Sequence, residues 1–290
     1  MKKIIALAVA GAFVTPAFAA EVTLSGGVGY EIYNEDGATT GKTSQQDIVV
    51  SATEDMGNGM TVSVSSSIEG NAGTSDNMDS VMTISGGFGA LSIGDDGDAG
   101  YNAFDNKTDV AESGADYAID SGNGDTDVAV QLKPELGIDG LSVAIGYTAA
   151  DADTEQSSGF GIQYAMGGLV VSYGSADADS KDSNATHVSA SFTTGPFYVA
   201  VDSYKNKGGV DGASQTALGA TYDYGNGKLY FEQASDESAT AGNVDLTDTT
   251  YGVSYKMGPV NMYVQNFTDE SGTSSVSSAD KTTFGVEYAF

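Results

Sequence analysis

The strongest constraint on this chain is parity. From Glu21 to Phe290 apolar residues alternate with small polar ones, and the phase holds through whole segments. Val22, Leu24, Val28, Tyr30 and Ile32 share one side, while Thr23, Ser25, Gly27, Gly29 and Glu31 share the other. A period of two is the signature of a strand with one oily and one watery face. Ile48, Val50 and Ala52 repeat it, and after Gly57-Asn58-Gly59 so do Val62, Val64 and Ile68. The final segment keeps the same phase through Phe284, Val286, Tyr288 and Phe290. Read this way the chain holds about sixteen strands, an even number.

The connections alternate as regularly as the residues. Tight turns with hairpin chemistry centre near Gly57, Phe88, Gly137, Gly167, Gly195, Asn226 and Gly258. Longer polar connections lie between them, such as Asn34 to Gln45, Ser175 to Asn184, Ser235 to Thr247 and Thr268 to Asp280. A unit of strand, turn, strand and loop recurring every thirty residues or so is one hairpin repeated around a closed sheet. One interval breaks the rhythm. Asp95 to Asp125 forms a connection of about thirty residues, far longer than the common loop. It is acidic, yet Tyr101, Phe104, Tyr117 and Ile119 give it side chains to pack with, which predicts a folded loop docked against a surface.

Residues 1–19 read as an export signal: Lys2 and Lys3, an apolar run from Ile4 to Val14, then Ala17-Phe18-Ala19 as the small-residue cleavage site. The mature unit is then 20–290, with the long loop at about 95–125 inside it. No later segment approaches the roughly twenty apolar residues of a membrane helix. The formal net charge is -29 before Lys2 and Lys3 are removed, and the sequence holds no Arg. Such a chain repels nucleic acid and collects cations. With no Cys it has neither disulfides nor thiolate metal sites.

Two architectures share this alternation. In a soluble sandwich the apolar faces of two sheets meet; in a membrane barrel they face lipid and the polar parity lines a wet lumen. The barrel is favoured by long strands, by the segregation of tight turns from acidic loops, and by Ser, Thr, Gly and Gln on the polar face. Tyrosines near apolar strand ends, among them Tyr147, Tyr173, Tyr222 and Tyr224, suit an interfacial girdle. The competing reading is an exported soluble acidic β-protein, a calcium- or polysaccharide-binding adhesin or surface protein.

The ordered combination of signal, hairpin repeat, long third loop and terminal Tyr288-Ala289-Phe290 resembles the general porins of Gram-negative outer membranes. The resemblance runs from Ala20-Glu21-Val22-Thr23-Leu24-Ser25-Gly26 through the segment Gly86-Gly87-Phe88-Gly89-Ala90-Leu91-Ser92-Ile93-Gly94 to the C-terminus. It implies an all-β, sixteen-stranded up-and-down barrel, a homotrimer in the outer membrane, passive diffusion of small hydrophilic solutes, and a third loop folded into the pore. Relatives commonly set a cluster of arginines opposite the acidic loop. This chain has none: the early strands present Ser51, Thr53, Ser63, Ser65, Ser67, Thr83 and Ser85 to the lumen, a neutral wall.

Within that frame Asp105, Asp109, Glu112, Asp116 and Asp120 are the expected constriction acids, and Glu31, Asp202, Glu232 and Glu287 carry lumen parity. Carboxylates along a pore favour cations. The mature lysines fall in presumed loops or near turns. Asp95, Asp96 and Asp98 offer oxygens to a structural Ca²⁺, without the ligand spacing of a helix-loop-helix site; a solvated acidic loop is the alternative. No other cofactor is expected. Divalent cations are expected to bridge the outer acidic loops to anionic lipid or lipopolysaccharide. His187 is the only histidine and has no nucleophile patterned around it, and no helix follows Gly26-Gly27-Val28-Gly29, so neither enzymatic nor nucleotide chemistry is expected.

Overall fold

The computed structural model describes residues 21–35, 38–69, 77–94, 103–104, 107–112, 129–149, 156–178, 184–206, 214–237, 246–269 and 280–290. These contain sixteen strands: β1 (Glu21–Glu35), β2 (Ala38–Gly57), β3 (Met60–Glu69), β4 (Asn77–Gly86), β5 (Gly89–Gly94), β6 (Ala129–Pro134), β7 (Leu141–Thr148), β8 (Ser157–Met166), β9 (Leu169–Ala178), β10 (Ala185–Thr194), β11 (Phe197–Lys205), β12 (Ser214–Asp223), β13 (Lys228–Glu237), β14 (Leu246–Met257), β15 (Val260–Asp269) and β16 (Lys281–Ala289). Each strand pairs with its sequence neighbours, and β1 closes on β16 in an antiparallel register running from Gly27 opposite Ala289 to Glu35 opposite Lys281. Closure leaves no edge, so the backbone of every strand is paired on both sides.

The barrel is inverted relative to a soluble protein. Val22 and Leu24 are 65% and 63% exposed, and Ile32, Val50, Phe192, Leu218, Val253 and Phe284 are likewise on the outside. The buried positions are mostly polar or small: they include Gln131, Thr148, Ser172, His187, Gln215, Thr250, Gln265 and Thr283, with alanines such as Ala144 and Ala217 and with Tyr204, Tyr230 and Tyr263 among them. The parity read from the sequence therefore points its apolar side outward. A soluble sandwich would have buried that side, so the adhesin reading loses its architectural basis. No helix among the described residues is long and apolar enough to cross a membrane.

The seven tight turns lie where the glycine and asparagine chemistry places them, and all open toward one end of the barrel. At the first, Gly57, Asn58 and Gly59 take φ of 77°, 56° and 74°, left-handed values that glycine and asparagine reach at least cost. The longer connections are shorter than the sequence suggests. Asn34 to Gln45, read as a polar loop, is mostly ladder: Asn34 faces Thr39, Tyr33 faces Thr40 and Glu31 faces Lys42. Threonines and a cross-strand ion pair keep extended backbone paired there without an apolar stripe. At the turn end the seam between β1 and β16 is extended by Gly26 and Phe290, which exchange backbone hydrogen bonds of 3.1 and 3.0 Å.

Candidate functional site

The described part of the long loop, 103–104 and 107–112, lies inside the barrel and crosses the inner wall from β8 to β15. At its start the Phe104 carbonyl accepts from Lys107 Nζ (2.6 Å), Ser172 Oγ (2.7 Å) and Ser189 Oγ (3.3 Å). Ser172 and Ser189 also bond to each other, so β9 and β10 present one hydroxyl platform. Lys107 Nζ reaches Gln163 Oε1 on β8 (3.1 Å), and its carbonyl accepts from the Tyr198 hydroxyl on β11 (2.6 Å). Lys133 stands 5.8 Å from the Phe104 ring centroid, within cation–π range.

The next four residues are held by carboxylates. Asp202 Oδ2 accepts from both the backbone N–H and the hydroxyl of Thr108, each at 2.8 Å. Glu232 Oε2 accepts from the Val110 N–H at 3.3 Å, and Lys228 Nζ donates to the Val110 carbonyl at 2.6 Å. Glu112 then pairs with Lys228 (3.2 Å) and accepts from Asn261 Nδ2 (2.8 Å). The loop can sit flush because the strand between the two acids is bare. A methyl group on Gly219 would lie 2.6 Å from the Thr108 carbonyl oxygen, inside any tolerable contact. Thr108 and Asp202 are both 0% exposed.

Facing this belt, eight strands away around the ring, is a wall of hydroxyls. Ser51 bonds Ser65 (3.1 Å), Thr61 bonds Ser85 (2.7 Å) and Thr83 bonds Ser92 (2.9 Å), each across neighbouring strands. Asp47 and Asp79 share that wall, near its loop end. The open space of the lumen thus lies between a charged, loop-covered half and a largely neutral half.

A second lumenal device spans the closure of the ring. Tyr263 on β15 lies over Gly285 on β16, which stands directly opposite it, and its hydroxyl donates to Glu31 Oε1 on β1 at 2.6 Å. Lys42 on β2 holds the other oxygen of Glu31 at 3.0 Å. Tyr230 repeats the arrangement, lying over Gly252 and donating to Gln265 Oε1 at 2.9 Å. In both places a missing side chain lets an aromatic ring cross one strand and bond the next.

Of the residues singled out from the sequence, Glu31, Asp202, Glu232 and Glu287 all face the lumen, and the structure gives the first three local partners. Glu287 stands opposite Asn261 across the β15–β16 pair. Among the constriction acids, Glu112 is bound to the wall and Asp109 is exposed. Asp105, Asp116 and Asp120 lie outside the described residues, as do Asp95, Asp96 and Asp98 and residues 1–19. Among the described residues no three His, Cys, Asp or Glu side chains gather to hold a metal ion. His187 is buried in the wall beside Tyr204, ring centroids 5.8 Å apart. Lys133, Lys228 and Lys256 do lie near turns, but they point inward, and Lys42 and Lys107 join them. Gly219, Tyr198, Asn261 and Tyr263 carried no sequence signal beyond lumen parity, and Thr108, in the loop, carried none.

The sequence matches the family described as Gram-negative porin over residues 6–290. Comparison with curated proteins gave no match. Among solved structures, the chain is similar to Salmonella typhi OmpF in complex with daunomycin, with TM-score 0.76 at 14% identity, covering 93% of this chain and 98% of that one. A loop-deletion mutant of OmpT, an outer membrane protein of Vibrio cholerae, gives 0.70 at 18%, covering 94% and 100%. A mutant of Rh. blastica porin gives 0.69 at 15%, covering 93% and 100%. At these identities the likeness speaks for the fold.

Proposed function

The chain belongs to the Gram-negative porin family, and we propose that it is a cation-preferring diffusion channel of the outer membrane, working as a homotrimer on small hydrophilic solutes and ions. The observation that carries the reading is the inverted polarity of a closed barrel: apolar side chains outside, and inside a polar wall with a loop laid across half of it.

The cation preference rests on the balance of lumenal charge. Lys42 and Lys228 are already matched by Glu31 and Glu112, and Lys107 is turned into the loop's own anchoring. Asp47, Asp79, Asp202 and Glu287 have no lysine within salt-bridge distance among the described residues and outnumber the inward-pointing Lys133 and Lys256, so the lumen keeps a negative surplus. Trimer formation is favoured by the outer face of β3 and β4, where Ser66 and Ser80 bond each other at 2.8 Å on a surface otherwise facing lipid. A polar pair there suits a protein neighbour better than hydrocarbon. The deciding experiment is conductance of the purified protein in a planar bilayer, followed by the zero-current potential across a KCl gradient. Steps grouped in threes with a cation-selective potential are expected. An anion-selective potential would overturn the charge argument, and folded protein without conductance would overturn the channel.

A further inference from the structure

The turn end of the lumen holds a cavity of about 190 Å³ whose polar lining is Glu112, Asp223, Lys228, Ser254 and Lys256. Three adjacent strands build it. Asp223 on β12 stands opposite Lys228 on β13, the Lys228 N–H donates to Ser254 Oγ on β14 at 3.4 Å, and the Lys256 N–H donates to the Asn226 carbonyl at 2.6 Å. Register thus fixes all four wall residues on the lumen side at one mouth, and the inner loop supplies Glu112 from above.

The two lysines and two acids are not equivalent. Lys228 is engaged by the Val110 carbonyl and Glu112, and Glu112 has one oxygen on Lys228 and the other on Asn261. That inner pair forms a fixed, neutral floor. Asp223 accepts the Gly225 N–H through Oδ1 (2.6 Å), which leaves Oδ2 open. The Lys256 ammonium meets no partner among the described residues. One open anion and one open cation therefore face a single cavity from strands two spacings apart, roughly 10 Å. A simple cation there meets Lys256 and a simple anion meets Asp223. A molecule carrying both charges a few ångströms apart satisfies each, with the Ser254 hydroxyl beside them.

We propose that this cavity is a weak binding subsite for zwitterionic α-amino acids at the turn-side mouth, Lys256 taking the carboxylate and Asp223 the ammonium. Its role as a subsite rests on the channel reading above, and the test separates the two. Wild type, Lys256→Gln and Asp223→Asn are first compared for KCl conductance, which reports the channel alone. L-glutamine is then added to one side at a time near neutral pH, with propionate, propylammonium and propionamide as single-charge and neutral controls. Concentration-dependent interruptions by glutamine are expected from one side of the wild type, weakened about tenfold by either substitution through loss of one charge-assisted contact. Saturation-transfer NMR of glutamine on the detergent-solubilised barrel reads the same site without current. Contact in the wild type lost in Lys256→Gln upholds the subsite even if the channel is closed. Equal interruption or contact in wild type and variants, equal effects of the single-charge controls, or no glutamine contact at all would overturn it.

Discussion

Truncating Asp202 tests whether the inner loop is held by the wall or merely leans on it. Its Oδ2 takes two hydrogen bonds from Thr108 at 2.8 Å in a fully buried setting. Bonds to a charged acceptor contribute about 1.5 kcal/mol each at the lower end, so Asp202→Ala should cost loop docking about 3 kcal/mol. That lowers the ratio of docked to released loop about a hundredfold. The remaining anchors, Glu232, Lys228, Tyr198 and the serine platform, should keep the single variant mostly docked. Asp202→Ala/Glu232→Ala adds the loss at Val110 N–H and should bring release into the observable range. The assay is single-channel recording: steady steps in the wild type, frequent transitions between conductance levels and a lower closing voltage in the double variant. Asp79→Asn serves as a control because it removes a lumenal charge on the far wall and touches no described loop residue. Asp202→Asn retains one acceptor for Thr108 and should fall between. A double variant as quiet as Asp79→Asn would refute the anchoring argument.

Gly285→Ala drives a methyl into the Tyr263 ring, an overpacking that should cost about 1–3 kcal/mol and lower the temperature at which the barrel loses heat-modifiable gel migration. Tyr263→Phe deletes the 2.6 Å bond to Glu31, a buried bond to a carboxylate worth roughly 1.5–3 kcal/mol, and should lower the same temperature with conductance intact. Gly219→Val places bulk under the Thr108 carbonyl and should reproduce the noisy gating of the Asp202 double variant without removing any charge; quiet channels would show that close approach at β12 is dispensable. Millimolar Mg²⁺ should raise the melting temperature of the assembled protein by shielding its acidic surplus, an effect that added NaCl at equal ionic strength should match only in part.

The fold was legible because parity and turn chemistry are local. Val22 and Leu24 fix one face, Gly57-Asn58-Gly59 fixes a turn, and the same logic repeated around the chain leaves closure as the solution that pairs every edge. The site was legible only in outline. Parity placed Asp202 and Glu232 on the lumen wall but said nothing of what would cover them, because their partners are backbone N–H groups from a loop some ninety to one hundred and twenty residues away. Backbone donors have no residue identity to read. The hairpin of β1 and β2 was underestimated for a related reason: polar strands above the apolar band are paired by threonines and the Glu31–Lys42 contact, and they lack the alternation that marks a strand.

The same structure changes what a net charge of -29 means for transport. Charge selects ions only where it is uncompensated near the path. Glu31 and Glu112 are each held beside a lysine, so their fields largely cancel a few ångströms away, and replacing either would expose a cation as much as remove an anion. Asp202 takes both bonds from the neutral N–H and hydroxyl of Thr108, which leave its charge uncancelled. The loop therefore lies over charge that still projects into the lumen. Selectivity and gating are coupled through Asp202: Asp202→Asn and Glu31→Gln each remove one negative charge and should shift the zero-current potential toward neutrality alike, whereas Asp202→Asn alone should also raise the gating noise, because only it loosens the loop. Equal noise from the two variants would mean that Asp202 does not hold the loop.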